Sequence, residues 1–250
     1  MTTHTLAISP QPAAEPTSLP SLSLVVPVWN DPEGLRHLLT QVTDNPHLHE
    51  VIIADASPDD RCASVAREFA AIHVRSPRPN RGAQMNAGAA VATGELLLFH
   101  HVDVPITPGH CRAARVSGAR SQFSAAAFYR EFDSAHARRR WLEKFVRLYN
   151  RCGGALYGDQ SLCIRRDAFY KHGGFRDMAL MEDVEFTRRL RRNGGIELLD
   201  PPVQPSARRH RNRGSLRTSL FNLWIMAAFR VGVSPDTLHR WYYGKKYRDL

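Results

Sequence analysis

The sequence of 250 residues lacks several patterns that mark common classes of protein. Its four cysteines, Cys62, Cys111, Cys152 and Cys163, include no C-x-x-C pair, which argues against a zinc knuckle, a redox pair and a secreted disulfide framework. Neither G-x-G-x-x-G after the first apolar run nor G-x-x-x-x-G-K-[ST] occurs, which disfavours an ordinary dinucleotide-binding domain and a P-loop enzyme. The cysteines are expected to be reduced, small apolar residues of a cytoplasmic protein.

The two ends of the chain lack a signal peptide and an uninterrupted apolar span. Residues 1–20 have no basic start and no continuous apolar core, and they are rich in proline, so we predict a flexible leader. Residues 214–250 predict a helical C-terminal extension, whose apolar part, 216–233, is too short and too interrupted for a membrane span. Packing on the domain is the favoured interpretation. Peripheral contact with the inner face of a membrane, with arginine and aromatic residues at the headgroups, is the alternative.

Charge is unevenly distributed along the chain. Residues 1–103 contain 6 basic and 11 acidic residues, whereas residues 104–250 contain 28 and 13. The basic part predicts contact with something anionic, such as a phosphate, a nucleic acid or a lipid surface, and solvated arginines are the alternative. We expect no nucleic acid partner, because the basic part lacks interleaved aromatic residues and a reading motif, and the acidic part would repel a phosphate backbone.

Apolar runs alternate with helical patterns from residue 22 onward. Predicted strands are 22–28, 51–54, 72–74, 96–99, 125–132, 162–165 and 196–199. Predicted helices lie near 35–42, 65–69, 83–91, 141–149 and 182–192. This alternation predicts an α/β fold with a central, mostly parallel, doubly wound sheet flanked by helices. Because the sequence shows no internal repeat and no linker in this region, we interpret residues 21–213 as one domain.

Polar residues stand at the carboxyl ends of the predicted strands, where open parallel sheets bind ligands. Trp29 and Asn30 follow the first strand, Asp55 ends the second, and His100, His101 and Asp103 follow the fourth. Mg²⁺ and Mn²⁺ prefer carboxylate and phosphate oxygens, which makes Asp103 a candidate ligand. A single aspartate after a strand is also a common turn residue.

Two further segments concentrate charge. Residues 78–88, RPNRGAQMNAG, form a basic loop leading into a helix start, which suits an anion bound by backbone N–H groups and arginine. An ordinary glycine-containing loop is the alternative. Residues 181–185, MEDVE, place acidic residues at the start of a helix that ends in arginines, a pattern that the helix dipole alone would favour.

In their order and spacing, these segments resemble family 2 glycosyltransferases of the GT-A fold. The resemblance rests on VVPVWN, Asp55, RG through NAG, the strand leading to Asp103, and Glu182-Asp183, and it covers about residues 22–240. The strings QMNAGAA, YGDQ, MEDVEFTRRLRR and SARR resemble one bacterial subgroup associated with radical-SAM and selenodomain genes. The resemblance implies a nucleotide-diphospho-sugar transferase fold and transfer of a sugar from a nucleoside-diphosphate sugar to an acceptor hydroxyl.

The resemblance also implies roles for matching positions. Asp55 would contact the base or ribose, and Asp103 would hold Mg²⁺ or Mn²⁺ against the diphosphate. Asp183 would be the general base, supported by Glu182. The nucleotide-sugar-binding set would be Pro27, Val28, Trp29, Asn30, Asp55, Arg81, Gly82, Gln84, Asn86, His101 and Val102.

One departure from the family pattern concerns the metal. The position that is often a second carboxylate is His101 here, and it is open whether His101 is a ligand, an outer partner or a bystander. An imidazole would shift the preference from Mg²⁺ toward Mn²⁺. His210 is a further candidate ligand, and Arg208 and Arg209 are candidates for stabilising the leaving diphosphate.

The expected chemistry is direct displacement with inversion at the anomeric carbon. Asp183 at a helix start is expected to have a depressed pKa and to stay ionised. The residues Tyr157, Gly158, Asp159 and Gln160 are candidates for the acceptor pocket, with a simple turn as the alternative. A protein that binds a sugar nucleotide without turnover is the competing function. The sequence identifies neither the sugar, the base, the acceptor nor the oligomeric state.

Overall fold

The computed structural model describes residues 18–131, 154, 156–204 and 215–244, with the backbone alone described for 215–220. Most of the predicted leader and the predicted helix near 141–149 lie outside the described residues. So do Arg208, Arg209 and His210, and Cys152.

Seven strands form one sheet in the order β3-β2-β1-β4-β6-β5-β7. They are β1 (Leu22–Val28), β2 (Glu50–Asp55), β3 (Ile72–Arg75), β4 (Leu96–Phe99), β5 (Ala125–Arg130), β6 (Leu162–Arg165) and β7 (Ile196–Val203). The first four run parallel, so their carboxyl ends lie at one edge. All seven residues of β1 are buried, as expected for a strand covered on both faces. The predicted α/β fold with a mostly parallel sheet is confirmed.

The other part of the sheet is mixed. Strand β6 runs antiparallel to both of its neighbours, β4 and β5, while the edge strand β7 runs parallel to β5. The register pairs Phe99, the last residue of β4, with Leu162, the first residue of β6. In an antiparallel pair the start of one strand meets the end of the other. The segment before β6 therefore lies beside the turn that follows β4.

In the described part of the chain, six helices cover the two faces of the sheet. They are α1 (Pro32–Val42), α2 (Arg61–Glu68), α3 (Arg81–Val91), α4 (Pro108–Gly118), α5 (Arg166–Lys171) and α6 (Glu182–Asn193). Leu24 and Val26 of β1 belong to one core cluster, with Leu35 of α1, and Val25 belongs to a second, with Met85 of α3. Successive side chains of a strand point to opposite faces, so β1 contributes to both clusters.

Helices α4 and α5 were not predicted from the sequence. The buried face of α4 consists of small or polar residues, including His110, Cys111, Ala114 and Ser117. A face of this kind has no run of large apolar residues to give a helical periodicity. Helix α5 has six residues, too few for the pattern to repeat.

Two helices, α7 (Ser215–Arg230) and α8 (Pro235–Tyr243), follow the sheet. Ile225, Met226 and Leu238 form a third core cluster with Met181 and Val184 at the start of α6. The C-terminal helices thus rest on the helix that begins with Glu182-Asp183. Among the described residues, no helix combines the length and apolar content needed to cross a bilayer.

We expect Gly88→Ala to destabilise the fold by about 1–3 kcal/mol, because helix α3 approaches β1 too closely for a side chain there. A Cβ at Gly88 would lie within 3.0 Å of Val25 Cγ1. Alanine is the better helix former, so the intrinsic preference of about 1 kcal/mol opposes the loss and the measured value should fall in the lower part of the range. Urea unfolding measures the difference.

Gly109→Ala is the matched control for Gly88→Ala. Gly109 is also helical, but its added Cβ would make only ordinary contacts of 3.5 Å and longer. We expect this variant to be as stable as the wild type or slightly more stable. Equal unfolding midpoints for the Gly88→Ala variant and the wild type would contradict the close approach of α3 and β1.

Candidate active site

The starts of helices α3 and α6 meet at the carboxyl edge of the sheet. Arg81, the first residue of α3, forms an ion pair with Glu182, the first residue of α6, with 2.9 Å between Nε and Oε1. Asn80 caps α3 with its side-chain oxygen and donates from Nδ2 to the carbonyl of Met178 at 2.9 Å. The loop before α6 is therefore held against α3, and Asp183 is positioned with it.

Asp183 is half-buried, and both of its carboxylate oxygens are hydrogen-bonded. They accept the Gly158 N–H at 2.5 Å and the Val184 N–H at 2.7 Å. Burial and the neighbouring Glu182 carboxylate raise the pKa of Asp183 to about 6, although Arg81 and the two N–H groups act to lower it. The prediction of a depressed pKa is wrong, because lost solvation and a second carboxylate outweigh the helix start.

His101, Val102 and Asp103 form the turn after β4, and all three are partly exposed. The His101 ring lies directly against Gly158, so that a Cβ at Gly158 would collide with its Nε2. The same Cβ would lie 3.3 Å from Asp183 Oδ2. The turn that carries Asp103 and the carboxylate of Asp183 therefore flank one short segment, where only glycine fits.

His100 connects this turn to the segment before β6. Its ring is fully buried, with Nε2 2.7 Å from the Val104 carbonyl oxygen and Nδ1 2.6 Å from Ser161 Oγ. A carbonyl only accepts, so Nε2 donates its proton to Val104 and Nδ1 accepts from the serine hydroxyl. Burial lowers the pKa of His100 to about 4, which keeps the ring neutral near pH 7. Sequence analysis noted His100 at this edge without a role; the structure gives it a positioning one.

Asp55 ends β2, and its carboxylate is fully buried. It accepts the Ser57 N–H at 2.8 Å and lies 3.1 Å from His73 Nε2 and 3.8 Å from Arg75 Nη1. In the parallel register Asp55 pairs with Val28, the last residue of β1. The structure thus has Asp55 at the expected edge, but the polar groups exposed there belong to His73 and Arg75, which sequence analysis did not single out.

Four residues predicted to bind the nucleotide are buried or hydrogen-bonded within the fold. Pro27 and Val28 are buried within β1. Gln84 is 2% exposed, and its amide nitrogen donates to one carbonyl of β1 and one of β2, at 2.7 and 2.9 Å. Asn86 exchanges two hydrogen bonds with the backbone of Phe175, at 2.8 and 3.0 Å. Polar groups removed from water need partners, and the buried Gln84 and the half-buried Asn86 find theirs in the protein.

Strained backbone is concentrated at this edge. Among the described residues four non-glycine residues have a left-handed φ, and three of them, Asn30 (51°), Ser161 (50°) and Met181 (71°), adjoin the site. Such conformations persist where surrounding contacts enforce them, commonly at functional sites. Asn30 is exposed, and its N–H donates to Ser57 Oγ at 2.9 Å. Gly82 is buried where a Cβ would lie 2.9 Å from the Arg176 carbonyl oxygen.

The four residues from Tyr157 to Gln160 make different kinds of contact. Gly158 makes the contacts described above, and Asp159 forms an ion pair with Arg130 at 2.7 Å. The Arg130 guanidinium lies 5.8 Å from the centre of the Tyr157 ring. Gln160 is 1% exposed, and its amide nitrogen donates to a carbonyl of β5 at 3.1 Å.

Helix α8 adds residues that sequence analysis did not assign to the site. Tyr242 and Tyr243 belong to the apolar cluster that covers the start of α6. Burial lowers the pKa of Arg81, but Glu182, Asp183 and the two tyrosine hydroxyls raise it by more, so the net shift is upward. The aromatic run at the end of the sequence was the available signal, and only the packing of α8 relates it to Arg81.

The metal donors at the carboxyl edge of the sheet are few. In the described part of the chain, no three His, Cys, Asp or Glu side chains come together as a metal site. Asp103 and His101 are the candidate donors, and Mg²⁺ and Mn²⁺ are commonly held by one or two carboxylates together with substrate phosphates. A separate cavity of about 450 Å³ between α4 and β7 has Arg112, Arg120 and Asp200 among its lining residues and includes none of the candidate site residues.

Comparisons with known proteins agree with this architecture. The sequence profile of glycosyl transferase family 2 matches residues 23–173. A probable glycosyltransferase of Bacillus subtilis, YdaM, is 25% identical over 198 residues, which are 69% of this chain and 47% of that protein. The chain thus spans about half the length of this curated relative.

Solved structures share the fold. The mannosyltransferase PcManGT from Pyrobaculum calidifontis, in complex with GDP-Man and Mn²⁺, superposes with a TM-score of 0.67 at 19% identity, covering 92% of this chain and 71% of that one. Mannosyl-3-phosphoglycerate synthase from Rubrobacter xylanophilus gives 0.55 at 16% identity, covering 92% and 77%. Together with the profile match over more than half of the sequence, the segments at the carboxyl edge identify this chain as a member of glycosyl transferase family 2.

Proposed function

We propose that this protein transfers a sugar from a nucleoside-diphosphate sugar to an acceptor hydroxyl, with a divalent metal and with inversion at the anomeric carbon. One observation carries the proposal: the Asp103 turn, the Asp183 carboxylate and the Arg81–Glu182 ion pair adjoin each other around Gly158. Family membership supports it, as does the fold shared with a mannosyltransferase solved with GDP-Man and Mn²⁺.

The donor would lie along the carboxyl edge of the parallel strands. Asp55 with its neighbours His73 and Arg75 would meet the base or ribose, and Arg81 at the start of α3 would lie along the diphosphate. The proposed nucleotide-sugar-binding set is Trp29, Asn30, Asp55, Arg81, Gly82, His101 and Val102. Arg208 and Arg209 are retained as candidates for contacting the leaving diphosphate.

Asp103 would hold Mg²⁺ or Mn²⁺ together with the donor diphosphate, and His101 and His210 are further candidate donors. The fit rests on donor chemistry: Asp103 is a partly exposed carboxylate in the turn that follows β4 at the carboxyl edge of the sheet. When bound, such an ion stabilises the negative charge that grows on the leaving diphosphate. An imidazole ligand would favour Mn²⁺ over Mg²⁺.

Asp183 would remove the proton from the acceptor hydroxyl. A carboxylate with a pKa of about 6 is mostly ionised at pH 7 and close enough to that pH to act as a general base. The N–H groups of Gly158 and Val184 fix its orientation. The bond from the anomeric carbon to the diphosphate breaks as the acceptor oxygen bonds to the opposite face, which inverts that carbon. Tyr157 and Asp159 are candidate acceptor contacts.

Two finer assignments belong to the same proposal. The subgroup associated with radical-SAM and selenodomain genes is supported by the strings QMNAGAA, YGDQ, MEDVEFTRRLRR and SARR. A cytoplasmic location is supported by the cysteines Cys62, Cys111 and Cys163, which are buried and free in the described part of the chain.

The test is a panel of nucleoside diphosphates and their sugars, with Mn²⁺, with Mg²⁺ or with EDTA, measured by thermal shift and then by product analysis. A matching diphosphate at about 100 times its Kd should stabilise the fold by about 2.7 kcal/mol and raise Tm by roughly 5–10 °C. EDTA should remove most of the shift. Metal-dependent binding without product from any acceptor or from water would favour a sugar-nucleotide-binding protein, and no shift with any nucleotide would contradict the proposal.

A further inference from the structure

Helix α7 is apolar on two opposite sides. Ile225 and Met226 face the start of α6 and are buried, whereas Leu223 is 66% exposed. Since successive residues of a helix are turned by about 100°, Leu223, Ala227 and Val231 share the outer side, and Trp224 stands beside them. Val231 follows the helix end, continues its hydrogen bonding to Ala227, and is 81% exposed. The outer side of a surface helix is normally polar, so this one is a candidate contact surface.

Helix α8 extends this surface. The Trp241 ring centre lies 4.7 Å from that of Trp224, and both side chains are more than 40% exposed. The surface comprises Leu223, Trp224, Ala227, Val231 and Trp241, and we refer to it as the Trp224–Trp241 face. Of seven large apolar residues exposed in the described part of the chain, four belong to this face.

Two exposed arginines adjoin the Trp224–Trp241 face. Arg230 lies on the same side of α7, Arg240 precedes Trp241, and both are exposed. The last fifty residues contain ten Lys or Arg and two carboxylates, Asp236 and Asp249. Aromatic and aliphatic side chains flanked by arginine and lysine are typical of helices that lie in a membrane interface, where the cations meet anionic headgroups.

We infer that the Trp224–Trp241 face docks on an anionic bilayer surface, with α7 and α8 lying in the plane of the headgroups. The opposite side of the two helices rests on the start of α6, so the docked surface and the candidate active site share one support. Exposed tryptophans suit the boundary between headgroups and acyl chains because their rings are apolar with one polar edge. A twofold contact with a second copy is disfavoured, since it would join two faces that both carry Arg230 and Arg240 and so place like charges within one interface.

The experiment is flotation of the full chain with vesicles of phosphatidylcholine alone or containing 30% phosphatidylglycerol as the anionic lipid. We expect binding to the anionic vesicles, weak binding to the neutral ones, and loss of binding as NaCl rises from 0.1 to 0.5 M, which screens charge. Acyl chains labelled with bromine should quench tryptophan fluorescence when the vesicles are anionic. This second measurement requires no variant.

The variant is Leu223→Gln with Val231→Gln, which removes apolar surface at two exposed positions. It should lower vesicle affinity by about tenfold or more while leaving Tm unchanged. Val91→Gln, at an apolar position that is 42% exposed at the end of α3, is the control and should bind as the wild type does.

Three outcomes would overturn the inference. The first is that the wild type does not bind anionic vesicles, and the second is that the double variant binds them as tightly as the wild type does. Alternatively, light scattering would give a dimer that the double variant converts to a monomer without vesicles, which would assign this face to a second copy of the chain. Sugar transfer in the absence of vesicles would neither support nor contradict membrane docking. Failure of the docking inference is therefore distinguishable from failure of the proposed function.

Discussion

Replacing Asp183 by asparagine is expected to lower turnover by about 10²–10⁴-fold, the range typical of a lost general base. The amide keeps the shape of the side chain but cannot take a proton from an acceptor hydroxyl. Binding of the donor nucleotide should change little, because Asp183 contacts the segment at Gly158 rather than the end of β2. Initial rates with a saturating donor and calorimetric titration of the diphosphate separate the two effects.

Asp167→Asn is the matched control. Asp167 is exposed in the first turn of α5, and its carboxylate accepts the N–H of the next residue at 2.7 Å, as Asp183 accepts that of Val184. The control should keep wild-type turnover. Wild-type turnover of a folded Asp183→Asn variant would show that Asp183 is not the base.

The pKa of Asp183 provides a second test of its role as the general base. Below about pH 6 the carboxyl becomes protonated, so kcat/KM should fall about tenfold per pH unit on acidification. The residual kcat/KM of the Asp183→Asn variant should not show this decrease at low pH. Because the folded-state pKa is raised, ionising Asp183 costs stability as the pH rises from about 4 to about 6. Removing its charge is therefore not expected to reduce stability at pH 7.

Asp103→Asn is expected to lower metal-dependent turnover by about 10²-fold or more, because a metal ion contributes several kcal/mol to stabilising the leaving diphosphate. Unlike Asp183→Asn, this change should also weaken diphosphate binding in Mn²⁺, toward the value measured in EDTA. Titration of a nucleoside diphosphate with and without Mn²⁺ gives the comparison.

The control for Asp103→Asn is Asp44→Asn, at an exposed position in the turn after α1. This variant should bind the diphosphate and respond to Mn²⁺ as the wild type does. If Asp103→Asn retained normal metal-dependent binding, the metal would have to be held by other residues, and the role proposed for the turn after β4 would be rejected.

The strands of the sheet were predictable because a buried strand has a short run of apolar residues in its local sequence. Strands β1 and β4 are short, mostly apolar runs that polar residues follow, and their predicted bounds match the observed ones. Helix α6 was predicted from acidic residues at its start and arginines at its end. Helix α4 was missed because its buried face is made of small or polar residues, for which periodicity gives no signal.

Residue identity alone does not show whether a polar side chain binds a ligand or stabilises the fold. Gln84, Asn86 and Gln160 are polar residues in the predicted motifs, yet each donates to a carbonyl of the protein. Whether an amide faces a ligand or a neighbouring strand depends on which elements surround it. That information is absent from a linear motif.

The sequence alone determined the α/β alternation, the polar residues at the strand ends and the order of the family segments, since each of these depends on neighbours along the chain. Only the tertiary structure brought Gly158 between His101 and Asp183, because that meeting requires β6 to pair antiparallel with β4. It also reversed the expected pKa shift of Asp183. Solvation and charge act through space, and the groups that exclude water from this carboxylate come from distant parts of the chain.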